Sequence, residues 1–157
     1  MNYLRKVLGI ILSTDDIDDL LGMLDYESQY EDVKTNTEKL FKQLMNEEGM
    51  ERIALLTLVT IEGFPVVTVT RENVQLDEHF NLASAMTVIH STGAVTLRKS
   101  VNDKIKYSVI NGEKYNIVIF PVTEEYVLGV VFYKVEITKE FTKKIVELIK
   151  EVRKNLS

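Results

Sequence analysis

Two histidines, four closely spaced aspartates, seven scattered glycines and a few serines are the residues of this chain from which chemistry could be built. His79 stands beside Asp77 and Glu78, a set that could begin a metal site. Three adjacent residues supply too few converging ligands for one, so solvation of an exposed turn is the better account. His90 falls within an apolar, small-residue stretch, where it could tune a contact with pH or serve as a plain interface or surface residue. Asp15, Asp16, Asp18 and Asp19 do not follow the calcium-loop pattern, because the sixth position is not glycine and apolar residues run through them. They suit the positive end of a helix instead. Gly63, Gly93, Gly112 and Gly129 are isolated, with no GxGxxG or phosphate-loop arrangement, so nucleotide binding finds no support. Ser84 and Ser91 lack a histidine–acid partner at a recognisable spacing. No catalytic constellation emerges, and a chain that is not an enzyme, with no cofactor and no metal, is the expectation.

Composition narrows the classes further. The 157 residues are 45% hydrophobic and 27% charged, the balance of a folded domain with a real core. Cysteine is absent, which removes disulfides, thiolate metal sites and a thiol nucleophile. The net charge of −5 is unevenly spread: residues 1–51 hold twelve acidic against five basic residues, whereas residues 52–157 hold twelve against fourteen. No basic cluster is interleaved with aromatics, so nucleic-acid binding is not expected. No apolar run approaches the about 20 residues of a membrane span. Arg5 and Lys6 precede an apolar stretch, Val7 to Leu12, that is shorter than the h-region of about 7–15 residues and lacks a small-residue cleavage site. A cytoplasmic protein without membrane insertion is the expectation.

Periodicity supplies the elements. Leu4, Val7, Leu8 and Ile11 mark one helical stripe, and Ile17, Leu20, Leu21 and Leu24 a second, with Ser13 and Asp16 spaced as a capping box. A third helix is expected from Thr35, buries Leu40, Phe41, Leu44 and Met45, and stops at Gly49. Ile53 to Thr60 is nearly all apolar, as in a central strand covered on both faces. Glu62-Gly63 turns the chain into Pro65 to Thr70, where proline favours the start of an edge strand. Asp77 to Ser100 reads as one long helix with Leu82, Met86, Ile89, Gly93 and Leu97 on one face; Gly93 inside it costs about 1 kcal/mol against alanine, which suggests that something packs close there. Strands Ile105 to Ile110 and Tyr115 to Val122 flank Asn111-Gly112-Glu113-Lys114, a pair suited to a type I′ hairpin. Tyr126 to Tyr133 is a further buried strand, and Thr138 caps a last helix striped by Phe141, Ile145, Leu148, Ile149, Val152 and Leu156.

The order α-β-β-α-β-β-β-α buries every stripe most simply as an α+β fold: a five-stranded antiparallel sheet with helices on both faces, the long helix on one and the first and last on the other. Residues 34–157 would form this domain, preceded by a two-helix N-terminal extension over residues 1–33.

From about Leu40 to Leu156 the chain resembles the roadblock (dynein light chain) domain, of the longin- and profilin-like group. The resemblance rests on Glu62-Gly63-Phe64-Pro65-Val66-Val67, the small-residue helix Leu82-Ala83-Ser84-Ala85-Met86 and the Asn111-Gly112 hairpin. It continues in Ile117-Val118-Ile119-Phe120-Pro121-Val122 and Tyr126-Val127-Leu128-Gly129-Val130-Val131. Residues 1–33 have no counterpart in the minimal domain. The resemblance implies a homodimer made by pairing third strands edge to edge, here Ile105, Lys106, Tyr107, Ser108, Val109 and Ile110. It also implies central helices side by side, through Met86, Ile89, His90, Gly93 and Leu97, and a protein partner such as a Ras-like small GTPase or a related scaffolded complex. An exposed edge is a template for pairing, and Lys106 is the kind of charge that makes such pairing selective. Proline at Ser108 is expected to weaken the dimer if that residue donates across the edge. The alternative is a small-molecule sensor of the PAS or GAF kind, against which stands the lack of an orienting polar group within an apolar pocket.

Overall fold

The computed structural model describes residues 14–77, 79–134 and 138–157, with side chains described from residue 29 onward. The elements in chain order are α1 (Thr14–Met45), β1 (Ile53–Thr60), β2 (Pro65–Thr70), α2 (Leu82–Val101), β3 (Ser108–Asn111), β4 (Tyr115–Pro121), β5 (Tyr126–Tyr133) and α3 (Lys139–Leu156). By its internal contacts the chain divides into two units, Met1–Val33 and Lys34–Ser157, and the sheet belongs wholly to the second. The expected helix at Leu4 to Ile11 lies outside the described residues. Among those residues no helix is long and apolar enough to cross a membrane.

The five strands form one antiparallel sheet, as the element order predicts, and within it they lie in the order β2-β1-β5-β4-β3. β1 lies inside it, and Ile53 to Val59 are all buried, which is why that segment carries no polar alternation. Pro65 opens the edge strand β2, where its missing N–H leaves no gap in the ladder. Gly63 makes the β1–β2 turn with φ +96°, its N–H donating to Thr60 O at 2.9 Å.

Three boundaries differ from the sequence expectation. α1 does not break at Thr35: it runs unbroken from Thr14 to Met45, because no glycine or proline lies between Gly22 and Gly49. The low helix propensity of Thr35, Asn36 and Thr37 costs only a few tenths of a kcal/mol each, about 0.7 at most. α2 starts at Leu82 and not at Asp77, because Asp77 folds its own turn. Its carboxylate accepts from His79 N–H at 2.9 Å and its carbonyl from Phe80 N–H at 3.1 Å. Asn81 is the cap, its side chain accepting from Ser84 N–H at 3.0 Å. The β3–β4 hairpin does not use Asn111-Gly112 as a type I′ pair, since neither has positive φ. Glu113 and Lys114 form the tip instead, and Gly112 is required by space: a Cβ there would lie 2.7 Å from Tyr115 O.

The two faces of the sheet are covered differently. On one side α3 packs Phe141 against Phe132, ring centroids 5.4 Å apart, and Lys144 of α3 pairs with Glu47, just past the end of α1, at 3.0 Å. Arg71 ties the end of β2 to the same region: its guanidinium donates to the carbonyls of Ile53 (2.6 Å), Met45 (2.8 Å) and Met50 (2.8 Å). On the other side α2 packs on a cluster of Val59, Ala83, Met86, Ile119 and Val127. Gly129 of β5 admits it, since a Cβ there would collide with Met86 Sδ and approach Thr57 Cγ2 to 3.1 Å.

Gly129→Ala should therefore lower stability by about 1–3 kcal/mol through overpacking. The shift of the urea midpoint at unchanged m measures it, and a variant as stable as the parent would show that the end of the Met86 side chain moves aside without cost.

Candidate interaction surface

β3 is the last strand of the sheet and only four residues long, so its outer side carries unpaired backbone groups. Which groups these are follows from the ladder. Gly112 N–H donates to Tyr115 O at 2.9 Å, and β3 pairs with β4 as Ser108↔Ile119, Val109↔Val118, Ile110↔Ile117 and Asn111↔Asn116. Bonded and non-bonded pairs alternate in an antiparallel ladder. Ser108 and Ile110 thus point their N–H and C=O at β4, whereas Val109 and Asn111 point theirs outward. A proline at Ser108 would break the internal ladder; Val109 and Asn111 are the outward donors.

Only the second half of the expected strand is strand. Ile105, Lys106 and Tyr107 precede it: Ile105 is half-buried, Lys106 exposed, and the exposed Tyr107 ring tilts against Phe120 with centroids 5.9 Å apart. Ser108 lies beneath the central helix, while Val109 and Ile110 are exposed apolar side chains at the edge.

α2 crosses the sheet from the β1–β2 turn towards β3. Gly63 meets Ser84, Gly129 meets Met86, and Gly93 meets Ile105 Cδ1 (3.3 Å from a Cβ built on the glycine) and Ser108 Oγ (3.8 Å). The face turned to the sheet is Ala83, Met86, Thr87 and His90, continued at helical spacing by Ala94, Leu97 and Val101. Its cover fails along the helix. The first four are buried, Ala94 and Leu97 are half-buried, and Val101 is 66% exposed on that same face. After Gly93, which sits over the last strand, α2 has run out of sheet. Its final two turns span about 12 Å at 1.5 Å per residue. Asn102 then takes the left-handed conformation (φ 53°) and closes the helix, with its N–H on Arg98 O and Asp103 N–H on Leu97 O.

The five helix residues expected at an interface therefore separate. Met86 is core, at 1% exposure, and His90 is buried at 5% rather than lying at the surface. Gly93 is a close-approach point, Leu97 is half-buried, and Ile89 is exposed. Val88, Val95 and Val101 are exposed too and were not singled out by the periodicity: Val88 and Val95 lie among threonines on the side away from the sheet, and Val101 continues the sheet-facing side past its end. Thr96 turns its hydroxyl back onto Thr92 O at 2.7 Å, an arrangement that disguises an apolar face as a polar one.

The polar groups at this surface assemble no chemistry. His90 Nδ1 and Ser108 Oγ are buried without a hydrogen-bond partner. His79 is exposed and bonded only to Asp77 through its backbone, with Glu78 outside the described residues. Among the described residues no three His, Asp or Glu side chains are placed to hold a metal ion.

No family model and no curated protein matches the sequence. Solved structures do match the fold. A Roadblock/LC7 domain from Streptomyces avermitilis superposes with a TM-score of 0.63 at 14% identity, over 76% of this chain and 96% of that one. The gliding protein MglB from Thermus thermophilus gives 0.64 at 12% identity, over 81% and 90%. An MglB structure with a tetrameric arrangement gives 0.65 at 12% identity, over 81% and 89%.

Burial holds the His90 imidazole below its ordinary value of 6.5. The unfolded chain then binds a proton that the folded one refuses, so His90 leaves stability intact above about pH 6.5 and erodes it as pH falls from there through the depressed folded value. Urea unfolding at about pH 7.5 and pH 5.5 should show a loss at the lower pH that shrinks in His90→Asn, which removes the titration. An identical pH response in the two proteins would mean that His90 is solvated.

Proposed function

From the Roadblock/LC7 fold that this chain carries, we propose that residues 34–157 are a non-catalytic interaction domain that pairs with a second copy of itself and, as a dimer, binds a Ras-like small GTPase or a related complex. Residues 1–33 are then a helical extension of that domain. The observation that carries the reading is the uncovered overhang of α2 beside an unpaired β3. Val101 on the overhang and Ile110 on the strand, both on the α2 side of the sheet, are exposed, as is Val95 further round the overhang.

A two-fold axis through the middle of β3 accounts for both halves of this surface. The Ser108 end of β3 lies under the chain's own helix, and the Asn111 end does not. Beyond that end a hollow of 560 Å³ is lined by Leu76, Ile110, Ile117 and Val131. Two antiparallel β3 strands would bring the partner's overhanging helix above this hollow, and the same operation would cover the partner's hollow with α2 of the first copy. Each helix is thus too long for its own sheet and the right length for two. The MglB structure with a tetrameric arrangement, similar in fold, supports self-association. The GTPase as partner class rests on the resemblance to roadblock regulators, and the paired central helices offer it a broad surface.

Light scattering should give a mass of twice 18.0 kDa. Val109→Pro removes an outward donor from an edge strand that tolerates proline, and should yield a folded monomer. Ser108→Pro removes a donor to β4 and should cost about 1–3 kcal/mol of the domain's own stability. A parent protein that is monomeric at high concentration, or a Val109→Pro variant that remains dimeric, would rule out this pairing.

Charge in the overhang should act in the same direction. Val95→Glu at the helix seam should raise the dimer dissociation constant at least about tenfold, by burying an unpaired carboxylate. Sedimentation measures it. For the partner class, the dimer should retain a Ras-like GTPase loaded with GTP or GDP on a column; retention of neither form would remove the GTPase from the reading.

A further inference from the structure

The face of the sheet opposite α2 has a vacancy of its own. α3 packs Phe141 on Phe132 of β5, and the outer strands beyond are left open. Between them and α3 lies a groove of 320 Å³, walled by Tyr107, Val109, Val118 and Phe120 on the sheet side and by Ile145 and Val146 on the helix. Its lining is almost wholly apolar, and Val146 on its helical wall is 44% exposed. Asn116 also faces it, and the side-chain oxygen of Asn116 is buried without a donor.

The charges of α3 are sorted around this groove. Thr142 and Val146 line it, and helical spacing places Lys139, Lys150 and Arg153 on the same side. The acids are elsewhere: Glu147 and Glu151 line the seam between α1 and α3 together with Glu47, where Lys144 pairs with Glu47. Arg153 is held by its Nε–H on Val122 O at 2.8 Å, whereas Lys139 and Lys150 are exposed. Among the described residues the groove therefore has an apolar floor and a recessed acceptor, and helical spacing puts Lys139 and Lys150 on the groove side of α3, beyond its lining.

We infer that this groove binds an acidic amphipathic peptide segment of a partner protein, with apolar side chains on the floor and carboxylates towards Lys139 and Lys150. The recessed Asn116 oxygen asks for a donor, which a tyrosine or tryptophan anchor supplies and an acyl chain does not. The concave shape favours a helix laid in a groove over a flat bilayer. The site lies across the sheet from α2, so it leaves the central helices open to a second partner and does not rest on the dimer reading.

Selection of phage-displayed random peptides of about 16 residues on the full chain should enrich acidic sequences with tyrosine or tryptophan among apolar residues at helical spacing. Val146→Glu should weaken an enriched peptide at least about tenfold by placing a charge on the apolar wall, and Lys139→Glu with Lys150→Glu should weaken it by about as much. Circular dichroism checks that these surface variants fold, and light scattering that their mass is unchanged, which keeps this test separate from the pairing test. Failure to enrich any peptide, enrichment of basic ones, or binding indifferent to Val146→Glu would overturn the inference. Sedimentation with vesicles of equal phosphatidylcholine and phosphatidylglycerol, lost in the same variants while no peptide is selected, would overturn it in favour of a membrane surface.

Discussion

The close crossing of α2 over the sheet sets the rest of the arrangement. The helix touches the sheet layer at three glycines. A Cβ on Gly63 would stand 3.2 Å from Ser84 Cα, one on Gly129 would strike Met86, and one on Gly93 would stand 3.3 Å from Ile105 Cδ1. One of these belongs to a strand, one to the β1–β2 turn and one to the helix, so both layers give up side chains where they meet. A helix seated so low traces a fixed line from the β1–β2 turn to β3. Its length is then out of proportion to the sheet beneath it, and the overhang and the uncovered hollow near Ile110 are two sides of one geometric fact. Close packing means that a side chain added at such a crossing must displace a neighbour, at Gly129 the end of the Met86 side chain.

Much of the fold was legible in the sequence, because strand and helix periodicities are strong where one face is buried. The unbroken apolar run from Ile53 to Val59 announces a central strand, Pro65 an edge and Gly63 a turn. The stripe of α3 emerged in full. Legibility failed where two local signals compete. Thr35 and Glu38 look like a capping box, yet α1 passes through them, since a helix already propagating gains a hydrogen bond with each further residue. Asp77 looks like a helix start but spends its side chain on its own turn, leaving Asn81 as the cap. Asn111-Gly112 suits a tight hairpin, yet the ladder register carries the tip two residues further on.

The candidate surface was legible in its elements and not in which of their residues face outward. Edge strand and central helix were both expected, but which residues of each face outward depends on phase. On the helix, reading Met86 and Ile89 on one face merges a core residue with an exposed one. Their separation of three residues spans 300° of rotation, near enough to pass as one stripe and far enough to straddle its boundary. On the strand, a shift of one residue exchanges the inward and outward backbone groups, so Ser108 and Val109 swap roles. The expected small-molecule sensor alternative would need a pocket closed by polar contacts. The hollow by Ile110 and the groove along α3 are both open, and both are mostly apolar.

The pairing of β1 with β5 carries a consequence for how the chain is made. Thr60 pairs with Tyr126 and Ile53 with Phe132, so the middle of the sheet closes only when the fifth strand is available. On a ribosome, the most apolar strand of the protein emerges first and waits through the synthesis of a helix and two further strands. During that interval β2 is its only strand neighbour and α1 its only helical cover, and a hairpin without further strands is marginal in water. Long-range closure of this kind slows folding and prolongs exposure of aggregation-prone segments. A chaperone that shields Ile53 to Val59 would therefore act before β5 is available to close the sheet.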